Sequence, residues 1–178
     1  MAASFRQFSD WSVCHGIAWS TSPEYLFASC SKKEDDETQR RSEKKVRIEV
    51  EFSGDYQNYQ LLFTINSLTK GKGEFVEPVI TTPASAQWTQ VISQGNAYNY
   101  ITDLTNSKLV VQSKEAVNKL GFLLSATQTK NTDAVNQTPI SAVIKVFADD
   151  KVIETYNYTA LPVGQVTEPV SKNLDISA

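Results

Sequence analysis

Cysteine and histidine serve most readily as nucleophile, general base or soft metal ligand. In this chain of 178 residues they occur only at Cys14, His15 and Cys30. From Ser31 to the C-terminus neither type is present. That region therefore cannot assemble a disulfide, a Cys/His zinc site, or a Ser-His-Asp or Cys-His nucleophile. What it offers is carboxylates, hydroxyls and phenols. Glu49 and Glu51 are spaced so that they share a strand face, and a carboxylate pair is the equipment of glycoside hydrolysis. The apolar residues between and beside them turn that face toward solvent, where charge discourages sheet aggregation. Asp149 and Asp150 are adjacent, but calcium takes about six to eight oxygens and the neighbouring residues supply few. Aspartates in tandem suit a tight turn better.

The phenols are the stronger lead for binding. Tyr56 and Tyr59 lie beside a turn, while Tyr98 with Tyr100 and Tyr156 with Tyr158 each point one way along a strand. A flat apolar ring with a polar tip suits stacking on a sugar ring or contact with a peptide. These six residues are the candidate ligand-binding set. The competing reading is that they fill the interior, with Trp88 as a core residue, because aromatic side chains also favour strands.

The elements that would position these groups are strands. Val46, Ile48, Val50 and Phe52 alternate with Arg47, Glu49 and Glu51, the period of a half-buried strand. Ser53-Gly54-Asp55 turns the chain, and Leu61, Phe63 and Ile65 mark the next strand. Lys70-Gly71-Lys72-Gly73 lacks the ending of a phosphate loop and reads as a plain loop. Phe75 to Ile80, interrupted by Pro78, is at most an edge strand. Trp88 to Ser93 and Tyr98 to Thr102 form a strand and its return, and Leu109 to Val111 begins another. Ser113 is placed to cap a two-turn helix that Gly121 would end. Phe122, Leu124 and Ala126 resume alternation. Ser141 to Ala148, the turn Asp149-Asp150, and Lys151 to Tyr158 form a hairpin. Seven or eight short strands with hardly any helix predict an all-β antiparallel sandwich, immunoglobulin-like or transthyretin-like.

The N-terminal portion is of another kind. Leu26-Phe27-Ala28-Ser29-Cys30 is followed by Ser-Lys-Lys-Glu-Asp-Asp-Glu, and residues Ser31 to Lys45 hold 11 charged side chains out of 15. Such a stretch cannot bury enough apolar surface to offset the entropy of ordering, so it reads as a hydrated tether. The junction resembles the lipobox of bacterial lipoproteins, and the charged run resembles the export tag of Bacteroidetes surface lipoproteins. That resemblance implies a lipid anchor at Cys30 and display at the outer membrane. Upstream, Pro23 and Glu24 stand where the apolar core of a signal peptide belongs. The expected organisation is a leader or non-native segment over 1–29, a tether over 30–45, a sandwich over 46–161 and an extended tail over 162–178.

Net charge is −3, and from Val46 onward 10 Lys and Arg face 13 Asp and Glu. Nothing there attracts a phosphate backbone, so nucleic acid is not an expected partner. No metal and no cofactor is expected. The expectation is a non-enzymatic envelope lipoprotein that holds a membrane through its anchor and binds a glycan or protein partner. The alternatives are an accessory subunit of an envelope complex and a carboxylate-only glycoside hydrolase.

Overall fold

The computed structural model describes residues 42–92, 97–133 and 137–177. They form two antiparallel sheets packed face to face. The first sheet runs in the order β10 (Lys151–Ala160), β9 (Ile140–Ala148), β1 (Val46–Ser53), β7 (Lys108–Ser113), β4 (Pro78–Thr82). The second runs β11 (Val170–Asp175), β8 (Lys119–Gln128), β2 (Tyr59–Lys70), β6 (Ala97–Asp103), β5 (Gln90–Ile92), with β3 (Glu74–Phe75) paired to the end of β2. A short 3₁₀ turn at Tyr56–Asn58 leads into β2.

Alternation decides what each sheet buries. Val46, Ile48, Val50 and Phe52 face inward from β1, as do Ile140, Ala142, Ile144, Val146 and Ala148 from β9. From the second sheet come Tyr59, Leu61, Phe63 and Ile65 of β2, and Leu120, Phe122, Leu124 and Ala126 of β8. Phe63 and Phe122 lie with ring centroids 6.2 Å apart at the centre. Burying each of these large side chains is worth about 1.5–3 kcal/mol relative to exposure. That is why a one-residue slip of register would be so costly. The β9–β10 turn is the two-residue type the aspartates foretell, with φ of 47° at Asp149 and 64° at Asp150.

Among the described residues there are eleven strands, more than the seven or eight expected, and two differences are local. Phe75 to Ile80 divides around Glu77, giving β3 and then β4, which starts at Pro78 on the sheet edge. The tail beyond 161 contains β11, which pairs with β8 from Val170 opposite Leu124 to Asp175 opposite Lys119. Ile176 after it is buried, so the sandwich extends past residue 161. The expected helix after Ser113 is absent. Its backbone donors reach sideways instead: Lys114 N–H to Glu77 O, Val117 N–H to Lys44 O and Asn118 N–H to Thr69 O. The Ser113 hydroxyl accepts from Val46 N–H rather than capping a turn (3.0 Å). Lys44, expected in the tether, pairs with Val117 at the start of the fold.

Candidate functional site

The registers place Arg47, Glu49 and Glu51 of β1 on the outer surface of the first sheet, beside Gln112 and Lys108 of β7 and Phe147 and Lys145 of β9. The Arg47 guanidinium lies 3.8 Å from the centroid of the Phe147 ring. It pairs with Glu49 and, at 3.6 Å, with Asp150 of the turn. Lys108 Nζ closes the other end, 2.9 Å from Glu49 and 3.6 Å from Glu51. Glu49 and Glu51 are thus held between Arg47 and Lys108 as members of an ion network.

Where β1 begins, the turn stands over this surface and a cleft of about 240 Å³ opens. It is lined by Lys45, Arg47, Gln112, Ser113, Asp149 and Asp150, with Val46 at its base. The turn is fixed from below: Lys45 N–H donates to Asp149 Oδ1 and Asp149 N–H donates to Lys45 O, each at 2.9 Å. Lys45 Nζ donates to Lys114 O. Asp150, with a side chain 96% exposed, and the exposed amide of Gln112 are left facing the opening. Guanidinium, amide and carboxylate around one opening make a surface for hydroxyl-rich ligands. Asp149 and Asp150 had been assigned the turn alone. Their second role depends on Arg47 and Gln112, 35 residues or more away in sequence, and no short-range pattern announces it.

A second, smaller crevice lies between the sheets, walled by Phe52, Leu61, Pro83, Tyr100, Leu104 and Leu109, with Thr102, Asp103, Asn106 and Lys108 at its mouth. Its space of about 20 Å³ admits roughly one water molecule.

The six tyrosines do not converge on either opening. Tyr59, Tyr100 and Tyr158 are buried and belong to the core, a correction to their assignment as binding residues. The spacing that aligned 98 with 100 and 156 with 158 aims both pairs at the inner face. The Tyr158 hydroxyl accepts from Ala126 N–H (2.7 Å), joining β10 to β8 across the sandwich. Burial pushes the Tyr158 phenol above its ordinary range, more than the bond to Ala126 pulls it down. Burial also raises Tyr59, with smaller contributions from Tyr158 and Asp55. Tyr56, Tyr98 and Tyr156 are half-buried and pack against the core. Tyr98 stacks on Phe75 (5.6 Å, 6°) and takes Trp88 edge-on (5.5 Å). Trp88 sits at the margin of the core, its Nε1–H donating to Pro78 O (2.9 Å). Tyr156 carries Lys172 Nζ 5.0 Å from its ring centroid. The ring faces of Tyr98 and Tyr156 are thus taken up by Phe75 and Lys172. Among the described residues no three His, Cys, Asp or Glu side chains gather as a metal site. Cys30 lies outside the described residues.

No protein-family model matches the sequence, and no curated protein matches it. Solved structures do. A DUF4425 family protein from Bacteroides ovatus superposes with a TM-score of 0.55 at 14% identity, over 74% of this chain and 96% of that one. A DUF4425 domain from Bacteroides vulgatus gives 0.51 at 12%, over 75% and 96%. The calcium-bound form of a protein from Parabacteroides distasonis gives 0.53 at 12%, over 75% and 94%. At these identities the likeness is one of fold: the chain shares its two-sheet architecture with these Bacteroidetes proteins.

Proposed function

We propose that the protein is a non-enzymatic envelope lipoprotein, anchored through Cys30 and displayed outward, whose sandwich binds a hydroxyl-rich ligand in the cleft beside Arg47. The observation that carries the binding reading is the cleft itself, where Arg47, Gln112 and Asp150 line one opening large enough for about one sugar ring. The anchor reading rests on Leu26-Phe27-Ala28-Ser29-Cys30 with the charged run behind it. Three Bacteroidetes structures of the same fold are in keeping with such an origin. Processing of bacterial lipoproteins supplies more than one acyl chain, which stable anchoring needs.

Binding is tested by titrating the protein with neutral oligosaccharides and following backbone amide shifts. Calcium is titrated alone as a separate arm, because the Parabacteroides neighbour is a calcium-bound form. Gln112→Ala and Asp150→Asn are the informative variants. Both positions are exposed, and asparagine keeps the positive φ that the turn requires. Each should weaken binding about tenfold with an unchanged melting temperature, the loss expected of one hydrogen bond to a charged or amide group. Absence of shifts around the cleft at millimolar sugar would defeat the reading. The anchor is tested by metabolic labelling with a fatty acid in a Bacteroidetes host. Label should be present on the full chain and absent from Cys30→Ala.

A further inference from the structure

The outer surface of the second sheet differs from that of the first in having no charge at its middle. By register, one row across it is Ile101, Leu62, Ser125. The next is Gln90, Asn99, Thr64, Leu123, Ser171; beyond it Ile92 lies opposite Ala97, and Ser67, Gly121 and Asn173 line up past an irregularity in β2. Ile101 and Ile92 are 42% and 41% exposed, and Leu62 and Leu123 are half-buried between them. The polar groups in the central row already satisfy one another: Thr64 Oγ1–H donates to Asn99 Oδ1 (2.9 Å) and Asn99 Nδ2 donates to Gln90 Oε1 (3.2 Å). Covering them leaves few hydrogen bonds to water to be replaced. The surface is also flat at Gly121. A Cβ there would meet Asn66 Oδ1 at 2.3 Å and Asn173 Oδ1 at 2.5 Å, so the two amides lie across the space a side chain would fill.

We infer that this surface is an interface with a second copy of the chain, packed sheet on sheet about a two-fold axis. Three features favour that occupant over a glycan or an unrelated charged protein. Charge appears only at the ends of the surface, and each end carries both signs. Asp103 pairs with Lys130 at one end (2.9 Å), and Lys119 lies opposite Asp175 at the other. Two-fold packing therefore brings no net like charge against itself, whichever ends meet. The rows carry aliphatic side chains and no aromatic ring, which suits sheet-on-sheet packing at about 10 Å and gives a sugar nothing to stack on. Strand spacing of about 4.8 Å and same-face spacing of about 6.8 Å give the three rows a footprint on the order of 500 Å² per copy. Two such footprints total about 1,000 Å², the size of a weak, transient contact, so association is sought at high protein concentration.

Sedimentation equilibrium of the full chain over about 1–500 µM tests the inference. The mass should move from 19.8 kDa toward twice that value. Ile101→Glu, which places two carboxylates in the interface, should raise the dissociation constant at least about tenfold. Gln90→Glu preserves shape and fold and should raise it about threefold, more at low salt. Val143→Glu, at a comparably exposed position on the opposite sheet, should leave it unchanged. A monomer at every concentration overturns the proposal. So does a dimer that withstands Ile101→Glu, or one that Val143→Glu disrupts equally. None of these results depends on whether the cleft beside Arg47 binds sugar.

Discussion

The two outward surfaces of the sandwich are built from strands of the same kind around one core, and they solve the problem of exposure in opposite ways. The first sheet covers its aliphatics with ions. Asp150, Arg47, Glu49, Lys108 and Glu51 run as a chain of opposite charges, with Arg47 lying over Phe147. The second sheet covers itself with hydroxyls and amides, Thr64, Asn99 and Gln90 in sequence, and with the absence of a side chain at Gly121. An ionic surface stays hydrated and resists a flat partner, because burying it means removing water from several charges. A neutral, self-bonded surface loses little on being covered. The difference teaches that one small sandwich can carry two unlike surfaces back to back, one suited to staying hydrated and the other to being covered.

The largest effect expected from breaking this arrangement is at Gly121. In Gly121→Ala the new methyl would fall 2.3 Å and 2.5 Å from two amide oxygens that can swing away, but also 2.9 Å from Ser67 Cβ, which is tied to the β2 backbone. Overpacking of that kind costs about 1–3 kcal/mol. Denaturant unfolding should show the loss, and show it equally in low and high salt, since no charge is involved. A neutral or stabilising result would mean that the flatness of the second sheet is incidental.

The opposite surface gives a smaller effect with the opposite salt response. Arg47→Met keeps the aliphatic cover over Phe147 and removes the cation that Glu49 and Asp150 share. The expected loss is about 1 kcal/mol, the order of a partly exposed ion pair with a cation–π contact. Raising salt from about 0.05 M to 1 M should shrink the difference from wild type, because screening acts on the pairs that Arg47 makes. A loss indifferent to salt would reduce Arg47 to a packing residue.

Part of this contrast was open to reading from the chain. The alternation of Val46 to Phe52 assigns Arg47, Glu49 and Glu51 to solvent, and tandem aspartates at 149–150 announce a tight hairpin. Both hold, because they depend on period and on local backbone preference. The neutral surface was not legible. Thr64, Asn99, Gln90 and Leu123 come from four strands, and only the register makes them neighbours. The tyrosines failed for a related reason. Spacing two apart shows that Tyr98 and Tyr100 share a face, and likewise Tyr156 and Tyr158, without saying which face is inward. Helix signals at Ser113 were outweighed by Lys44, Thr69 and Glu77, whose carbonyls take the donors a helix would have used.

The smallest expected effect concerns the end of the neutral surface where Asp103 pairs with Lys130. The hydrogen bond and charge of Lys130 hold the Asp103 carboxyl below its ordinary value, with help from Gln60 and against slight desolvation. A carboxyl whose folded pKa is depressed adds stability that is complete above the unfolded value and disappears as pH falls through the folded one. The window here lies below about pH 4, and the group is solvent-exposed, so the shift in melting temperature is small. Thermal unfolding of wild type and Lys130→Met should differ slightly at about pH 7 and converge by about pH 2. A gap that persisted at low pH would show that Lys130 acts through packing of its stem and not through its charge. That end of the neutral surface would then be closed by contact and not by charge.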